Sequence, residues 1–172
     1  MTFSVLNARH SIEGFAQKNV RVGSGANAMY ASTRAGLSVD PTTLNTVVAR
    51  LSKLPRESSL LVLPEAVILN FLTGMANQTP FVQSFLYSGL YEMAGGDEGA
   101  VAKLEAHPPD YVAYLRRIEE VDSPVYKIRG PGGFANGAFA WIESHYTIID
   151  QIGEETRDFN ELRFVLLERK PH

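Results

Sequence analysis

The stretch Ser59-Leu-Leu-Val-Leu-Pro-Glu-Ala-Val-Ile-Leu-Asn-Phe-Leu-Thr-Gly74 decides the fold class of this chain. Its first five residues are an apolar run that predicts a strand buried in the middle of a sheet. Pro64 breaks this strand, and the apolar residues after it predict a short helix that ends at Gly74. A buried strand that passes directly into a helix is typical of α/β proteins, which tend to bind ligands at such junctions.

Length and composition predict one folded domain. The chain has 172 residues, of which 45% are hydrophobic and 20% are charged. These values suit a domain with a sizeable core. We expect a single α/β domain over residues 1–172, in which residues 1–18 form a poorly ordered or linker segment. The net charge of −3 argues against nucleic-acid binding. The absence of cysteine excludes disulfides and thiolate chemistry.

Strand and helix patterns alternate on both sides of the opening stretch. The helix patterns begin at residues 40, 65, 97 and 134, and the strand patterns lie at 19–23, 59–63, 111–115, 146–149 and 162–167. The strands 59–63 and 111–115 are separated by a crossover, so they should be parallel. The last two strands should be antiparallel. The predicted fold is therefore a three-layer α/β sandwich with a mostly parallel sheet and an antiparallel strand pair at the C-terminal edge.

Glu65 is the first candidate for a ligand-binding residue. It follows the buried strand, at the position where a carboxylate binds a hydroxyl group or acts as a base in open α/β sheets. An equally good interpretation is that Glu65 is a first-turn helix residue, which the helix dipole favours. An acid/base role needs a second group beside Glu65, and the sequence does not place one there.

Two arginines are further candidates for ligand binding. Arg117 follows the strand 111–115, where a side chain can face the same crevice as Glu65, but surface charge is the simpler interpretation of residues 116–120. Arg129 lies beside the glycine turn that leads to Gly133, ahead of a predicted helix whose first N–H groups suit a phosphate or sugar phosphate. A solvated loop is the simpler interpretation of that turn.

Other kinds of site find no support. Gly23-Ser-Gly25-Ala-Asn-Ala28 matches a dinucleotide-binding pattern, but no helix is predicted after it, so a turn is the better interpretation. The four histidines have no metal-ligand spacing, and no nucleophile elbow is present. We therefore expect no metal, cofactor or catalytic residue. We also expect no membrane span, because the longest apolar tract, Leu60 to Met75, is shorter than the roughly 20 residues that a bilayer requires.

A series of short motifs resembles one protein family over residues 19–169. The motifs are Val20-Arg-Val-Gly-Ser-Gly25, Leu63-Pro-Glu65 with Leu69-Asn-Phe71, Asn77-Gln-Thr-Pro80, Leu104-Glu-Ala-His-Pro-Pro-Asp-Tyr-Val112 and Phe164-Val-Leu-Leu-Glu-Arg169. In this order they resemble the C-terminal extramembrane segment of bacterial polytopic membrane proteins similar to dolichyl-phosphate-mannose protein mannosyltransferases.

This resemblance implies a domain of a larger membrane protein, soluble when isolated and facing the periplasm or cell exterior. The catalytic acidic residues of such glycosyltransferases lie near their first membrane helices, so the resemblance assigns none here. It implies an accessory domain that helps to bind or position a lipid-linked sugar or its acceptor. Two alternatives remain open. One is a free-standing small-molecule-binding protein or enzyme that uses Glu65. The other is a structural or assembly module with a partner surface at Phe81–Tyr91.

Overall fold

The computed structural model describes residues 18–32, 41–63, 68–79, 88–93, 95–116, 133–152 and 163–171. The strands in these ranges are β1 (Lys18–Val22), β2 (Met29–Ser32), β3 (Leu60–Leu63), β4 (Tyr111–Arg116), β5 (Tyr146–Ile152) and β6 (Arg163–Arg169). The α-helices are α1 (Pro41–Leu51), α2 (Ile68–Thr73), α3 (Ser88–Met93), α4 (Gly96–Ala106) and α5 (Asn136–His145). The prediction of a mixed α/β fold is confirmed. Helix α3 was not predicted.

The main sheet has four strands in the order β3–β4–β6–β5. Strands β3 and β4 are parallel, with Leu60 opposite Tyr111, as the crossover predicts. Strand β6 is antiparallel to both of its neighbours, β4 and β5. The antiparallel pair at the C-terminal edge is therefore confirmed. A mostly parallel sheet is not confirmed, since only one of the three pairings described in this main sheet is parallel.

The position of β6 follows from its sequence. Residues 164–167 are all buried, so both faces of β6 need cover and an interior place in the sheet suits it. Most of β5 is exposed, apart from the buried Tyr146 at its start, which suits a strand beside β6 at the margin of the sheet.

Alternate residues of the sheet enter two separate hydrophobic clusters, because successive side chains of a strand point to opposite faces. The first cluster, which we call the α4–α5 core, combines one face with side chains from α3, α4 and α5. Its strand residues are Leu61, Leu63, Val112, Tyr114, Tyr146, Val165 and Leu167. The second, the α1–α2 core, combines the other face with α1, α2 and Val22 of β1. Its residues from the sheet are Leu60, Val62, Tyr111, Ala113, Phe164 and Leu166.

Strands β1 and β2 form a separate antiparallel hairpin. The turn between them contains Gly23 and Gly25, both with positive φ angles of 77° and 65° that glycine adopts at little cost. The backbone N–H of Gly23 donates a hydrogen bond to Asn45 Oδ1 of α1 at 3.0 Å. A short 3-10 turn and then β2 follow, so the glycine pattern forms a turn, as predicted, and does not open a helix.

Candidate functional site

The three ligand-binding candidates from the sequence, Glu65, Arg117 and Arg129, lie outside the described residues. Glu65 comes two positions after the end of β3, and Arg117 directly follows β4. The two strands end at the same edge of the sheet because they are parallel and in register, with Leu63 opposite Tyr114. The crevice that these residues define therefore stays a prediction.

Asp97 is the carboxylate that the structure places at the start of α5. One oxygen, Oδ2, accepts a hydrogen bond from the backbone N–H of Gly137 at 2.8 Å. The other, Oδ1, accepts from the N–H of Ala138 at 3.1 Å and from the hydroxyl of Tyr91 at 2.6 Å. Asp97 itself lies in the first turn of α4. One side chain thus joins α3, α4 and α5 and places negative charge at two helix N-termini, where the helix dipoles favour it.

This arrangement argues against an anion site on the first N–H groups of α5, which is the less favoured interpretation of the glycine turn before it. The N–H groups of Gly137 and Ala138 are the ones that an external phosphate would need. Both donate to Asp97 instead. The helix satisfies its own N-terminus with a carboxylate from the neighbouring helix, so these two groups are not available to a ligand.

Gly137 permits the close approach of Asp97. A Cβ atom at this position would lie 2.7 Å from Cγ of Asp97, closer than two carbon atoms can come without a shift. The sequence contained this signal, because glycine weakens a helix interior and needs a packing reason there. Only the fold shows that the reason is a carboxylate 40 residues earlier.

Burial and the neighbouring carboxylate also affect Tyr91. The side chain is fully buried and its ring lies 5.3 Å from that of Phe134. Burial, followed by the hydrogen bond to Asp97 and its charge, raises the pKa of Tyr91 far above the usual value for tyrosine. The neutral hydroxyl is therefore a hydrogen-bond donor and not a base. Tyr91 belongs to the core, whereas residues 81–87 of the predicted aromatic surface lie outside the described residues.

The Pro108-Pro-Asp-Tyr111 motif holds the strand starts together. Asp110 Oδ2 accepts hydrogen bonds from both the N–H and the hydroxyl of Ser59, at 2.8 and 2.9 Å. The N–H of Asp110 donates back to Ser59 Oγ at 2.9 Å. The hydroxyl of Tyr146 donates to the carbonyl oxygen of Pro109 at 2.6 Å. The motif therefore connects the starts of β3, β4 and β5, and its carboxylate has a structural role.

Two other motifs from the resemblance also support the backbone. The amide of Asn70 donates to the carbonyl oxygens of Leu60 and Met75, at 2.8 and 3.1 Å, and holds α2 against β3. Asn77 Oδ1 accepts from both the N–H and the hydroxyl of the buried Thr79, at 3.0 and 2.7 Å, which stabilises the turn. Asn70 therefore joins α2 to the sheet, and Asn77 stabilises its own turn.

The strand side chains on the face toward the α4–α5 core become more exposed from β3 through β6 to β5. Leu61 and Leu63 of β3 are 0% and 1% exposed, and Val165 and Leu167 of β6 reach 9% and 8%. On β5, Ile148 is 52% exposed. Helix cover is therefore complete over β3 and decreases toward β5.

The open part of this face forms a concavity of about 540 Å³ between α5 and the strands β5 and β6. Its wall is mostly apolar, and the residues that form it include Val112, Tyr114, Phe139, Ile142, Val165 and Leu167. The exposed polar residues Glu143, Thr147, Gln151 and Lys170 lie around the mouth. Pockets that bind small molecules have this size and this division between apolar wall and few polar groups.

The sequence did not indicate the concavity. Its one local signal is Tyr146-Thr-Ile-Ile-Asp150, where two adjacent isoleucines break the alternation expected of a half-buried strand. The pairing of β5 with β6 is irregular between Ile148 and Asp150. Ile148 lies opposite Leu167 and contributes to the concavity, whereas Ile149 is 44% exposed and is not part of its lining.

Within the described residues, no group of three or more histidine, aspartate and glutamate side chains has a geometry that would hold a metal ion. No helix in the same ranges is long and apolar enough to cross a membrane. Comparisons with protein families, with curated proteins and with solved structures find no match to this chain.

Proposed function

We propose that this chain is a non-catalytic accessory domain of a membrane glycosyltransferase-like protein and that it binds or positions a lipid-linked sugar or its acceptor. The observation that carries this proposal is the apolar concavity of about 540 Å³ beside β5. A lipid-linked sugar joins a hydrocarbon chain to a polar head, and the concavity joins an apolar wall to a polar mouth. The motif resemblance supplies the membrane setting.

Three of the described carboxylates have structural roles, which suits a non-catalytic domain. Asp97 accepts hydrogen bonds from two backbone N–H groups and Tyr91, and Asp110 accepts two from Ser59. Glu168 accepts one from the hydroxyl of Tyr111 at 3.0 Å. General acid/base catalysis needs a carboxyl group within reach of a substrate proton. These three are engaged in holding secondary structure together.

The proposal includes a three-layer arrangement of the domain, which the two hydrophobic clusters support. Helices contribute to the cluster on each face of the sheet. A sheet with helices packed on both faces supplies a rigid support for a site at its open margin. We propose that α1–α2, the sheet and α3–α5 are the three layers.

Binding of a lipid-linked sugar tests the proposed function. Trp141 is the single tryptophan of the chain, and its ring centre lies 6.0 Å from that of Tyr146 in the lining of the concavity, so we expect its fluorescence to respond to occupancy. Titration with a polyprenyl-phosphate sugar in mild detergent should give a saturable change. Detergent alone is the control. If fluorescence and calorimetry both show no saturable binding, the proposed function is wrong.

The membrane setting has its own test. If this domain belongs to a polytopic membrane protein, the reading frame upstream of Met1 must encode a series of transmembrane helices. A stop codon directly upstream, with expression from Met1 alone, would contradict the setting without affecting the binding measurement.

A further inference from the structure

We infer that the concavity beside β5 receives the hydrocarbon chain of the lipid-linked sugar, and that the sugar and phosphate stay outside its mouth. This inference rests on the proposed function and assigns one part of the ligand to one surface. It follows from the chemistry of the wall, the position of the polar groups and the exposure of Ile148.

The wall offers apolar contact and little hydrogen bonding. Val165 and Leu167 form part of it from β6, and Phe139 and Ile142 form part of it from α5. Tyr114 packs edge-on against Phe139, with 5.1 Å between the ring centres. A sugar needs several polar groups directed at its hydroxyls, since a buried hydroxyl without a partner costs free energy. A hydrocarbon chain needs none.

The polar groups that line the concavity are exposed, so they can meet a head group that stays in water. Glu143, Thr147 and Gln151 are exposed. The ammonium group of Lys170 donates to the carbonyl oxygens of Ser144 and Glu143, at 2.7 and 3.3 Å. It is thus held at the C-terminal end of α5, where the helix dipole favours a cation. The described residues of the mouth therefore include one basic and one acidic side chain, Lys170 and Glu143, and the ammonium group of Lys170 is the one that suits a phosphate that remains in water.

Ile148 extends the apolar wall to the surface. It lies opposite Leu167 on the same face of the sheet and is 52% exposed. A hydrocarbon chain that enters past Ile148 would cover this side chain and remain in apolar contact from the mouth to the wall. If Ile148 forms the entrance of a site for a hydrocarbon chain, its exposure in the free protein is explained.

Separate probes for the two parts of the ligand test the inference. Decyl phosphate, below its critical micelle concentration, represents the chain with its phosphate, and glucose 1-phosphate represents the head. We expect decyl phosphate to change the fluorescence of Trp141 saturably and glucose 1-phosphate to have no effect at the same concentration. Binding of both phosphates with equal affinity, or of glucose 1-phosphate alone, would overturn the inference while the proposed function stands. If neither probe binds and the complete lipid-linked sugar also fails to bind, both are wrong.

Two neighbouring variants locate the site. Ile148→Asp places a carboxylate at the entrance, and Ile149→Asp places the same group one residue further on, outside the lining. Both side chains are exposed, at 52% and 44%, so both variants should fold. We expect Ile148→Asp to weaken decyl phosphate binding by about tenfold or more, since it replaces apolar contact with a charge. Ile149→Asp should bind like the wild type. Equal weakening by the two would place the site elsewhere and overturn the inference.

Vesicles distinguish a lipid-linked sugar from the acyl chains of a bilayer. The domain should not sediment with vesicles of phosphatidylcholine and phosphatidylglycerol, and it should sediment once a polyprenyl-phosphate sugar is included. If the wild-type domain sediments with the plain vesicles and the Ile148→Asp variant does not, the concavity binds the acyl chains of the bilayer. That result would overturn the assignment to the lipid-linked sugar.

Discussion

Strands β3 and β5 belong to the same sheet, and both contain large apolar residues, yet their surroundings differ. All four residues of β3 are buried, and helices cover Leu61 and Leu63 completely. In β5 only Tyr146 is buried, and Ile148 is half exposed beside a concavity. The difference teaches that apolar residues on this sheet have two kinds of surroundings. On β3 they stabilise the fold, and on β5 we propose that they form a surface to which a ligand binds.

Truncation in β3 should have the largest effect on stability. Leu61→Ala removes a fully buried side chain from the α4–α5 core and leaves a cavity. We expect a loss of about 3 kcal/mol in the free energy of unfolding, as for other buried leucines. Urea denaturation followed by circular dichroism measures it. A loss below about 1 kcal/mol would mean that β3 is not packed as tightly as the comparison requires.

Loss of Asp97 should have the next largest effect, because Asp97 fixes the start of the helix that bounds the concavity. Asp97→Ala removes the acceptor for Gly137, Ala138 and Tyr91. We expect a loss of about 2 kcal/mol in the free energy of unfolding. Glu98→Ala is the matched control, since Glu98 lies in the same first turn of α4 but is exposed. Equal effects of the two variants would show that the charge near the helix start matters and the hydrogen bonds do not.

High pH should destabilise the fold through the buried tyrosines. Burial raises the pKa of both Tyr91 and Tyr146 in the folded state, with the charge of Asp97 adding to the effect on Tyr91. Below the unfolded-state pKa of tyrosine, about 10, both hydroxyls are neutral in the folded and the unfolded state, so the folded state keeps its full stability. Above it, the unfolded state ionises first, so stability falls as the pH rises toward the folded pKa.

Denaturation of Tyr146→Phe between pH 9 and pH 11 tests this dependence. The variant lacks the hydrogen bond to Pro109 at every pH, which lowers its stability. It also lacks one ionisable hydroxyl, so its free energy of unfolding falls less than that of the wild type as the pH rises. The difference from the wild type should therefore shrink as the pH rises, and the measurement at pH 7 supplies the reference. A difference that stays constant up to pH 11 would mean that Tyr146 ionises equally in both states.

Truncation in β5 should have the smallest effect on stability. Ile148→Ala removes a half-exposed side chain that loses little contact in the free protein. We expect a change within about 0.5 kcal/mol in the free energy of unfolding. The same urea denaturation measures it beside Leu61→Ala. If Ile148→Ala costs as much as Leu61→Ala, then β5 is part of the core and the two strands do not differ in use.

The sequence predicted the elements better than their contacts. Pro41 and the apolar spacing from Leu44 to Leu51 predicted α1, and the crossover predicted the parallel pairing of β3 and β4, because both depend on local patterns. The contact of Asp97 with Gly137 joins residues 40 positions apart, and no local pattern encodes such a contact. The concavity depends on which helix covers which strand, and this also follows only from tertiary packing. Glu65, Arg117 and Arg129 stay predictions.

Amide hydrogen exchange with and without a saturating polyprenyl-phosphate sugar tests the central claim most directly. The ligand should slow exchange in the second half of α5 and in β5, because it would cover the concavity between them. Exchange in the β1–β2 hairpin should stay the same, since that hairpin contributes nothing to the lining. Slower exchange confined to β1–β2, or no change in β5 at saturation, would contradict the claim that the open side of the sheet is the ligand-binding side.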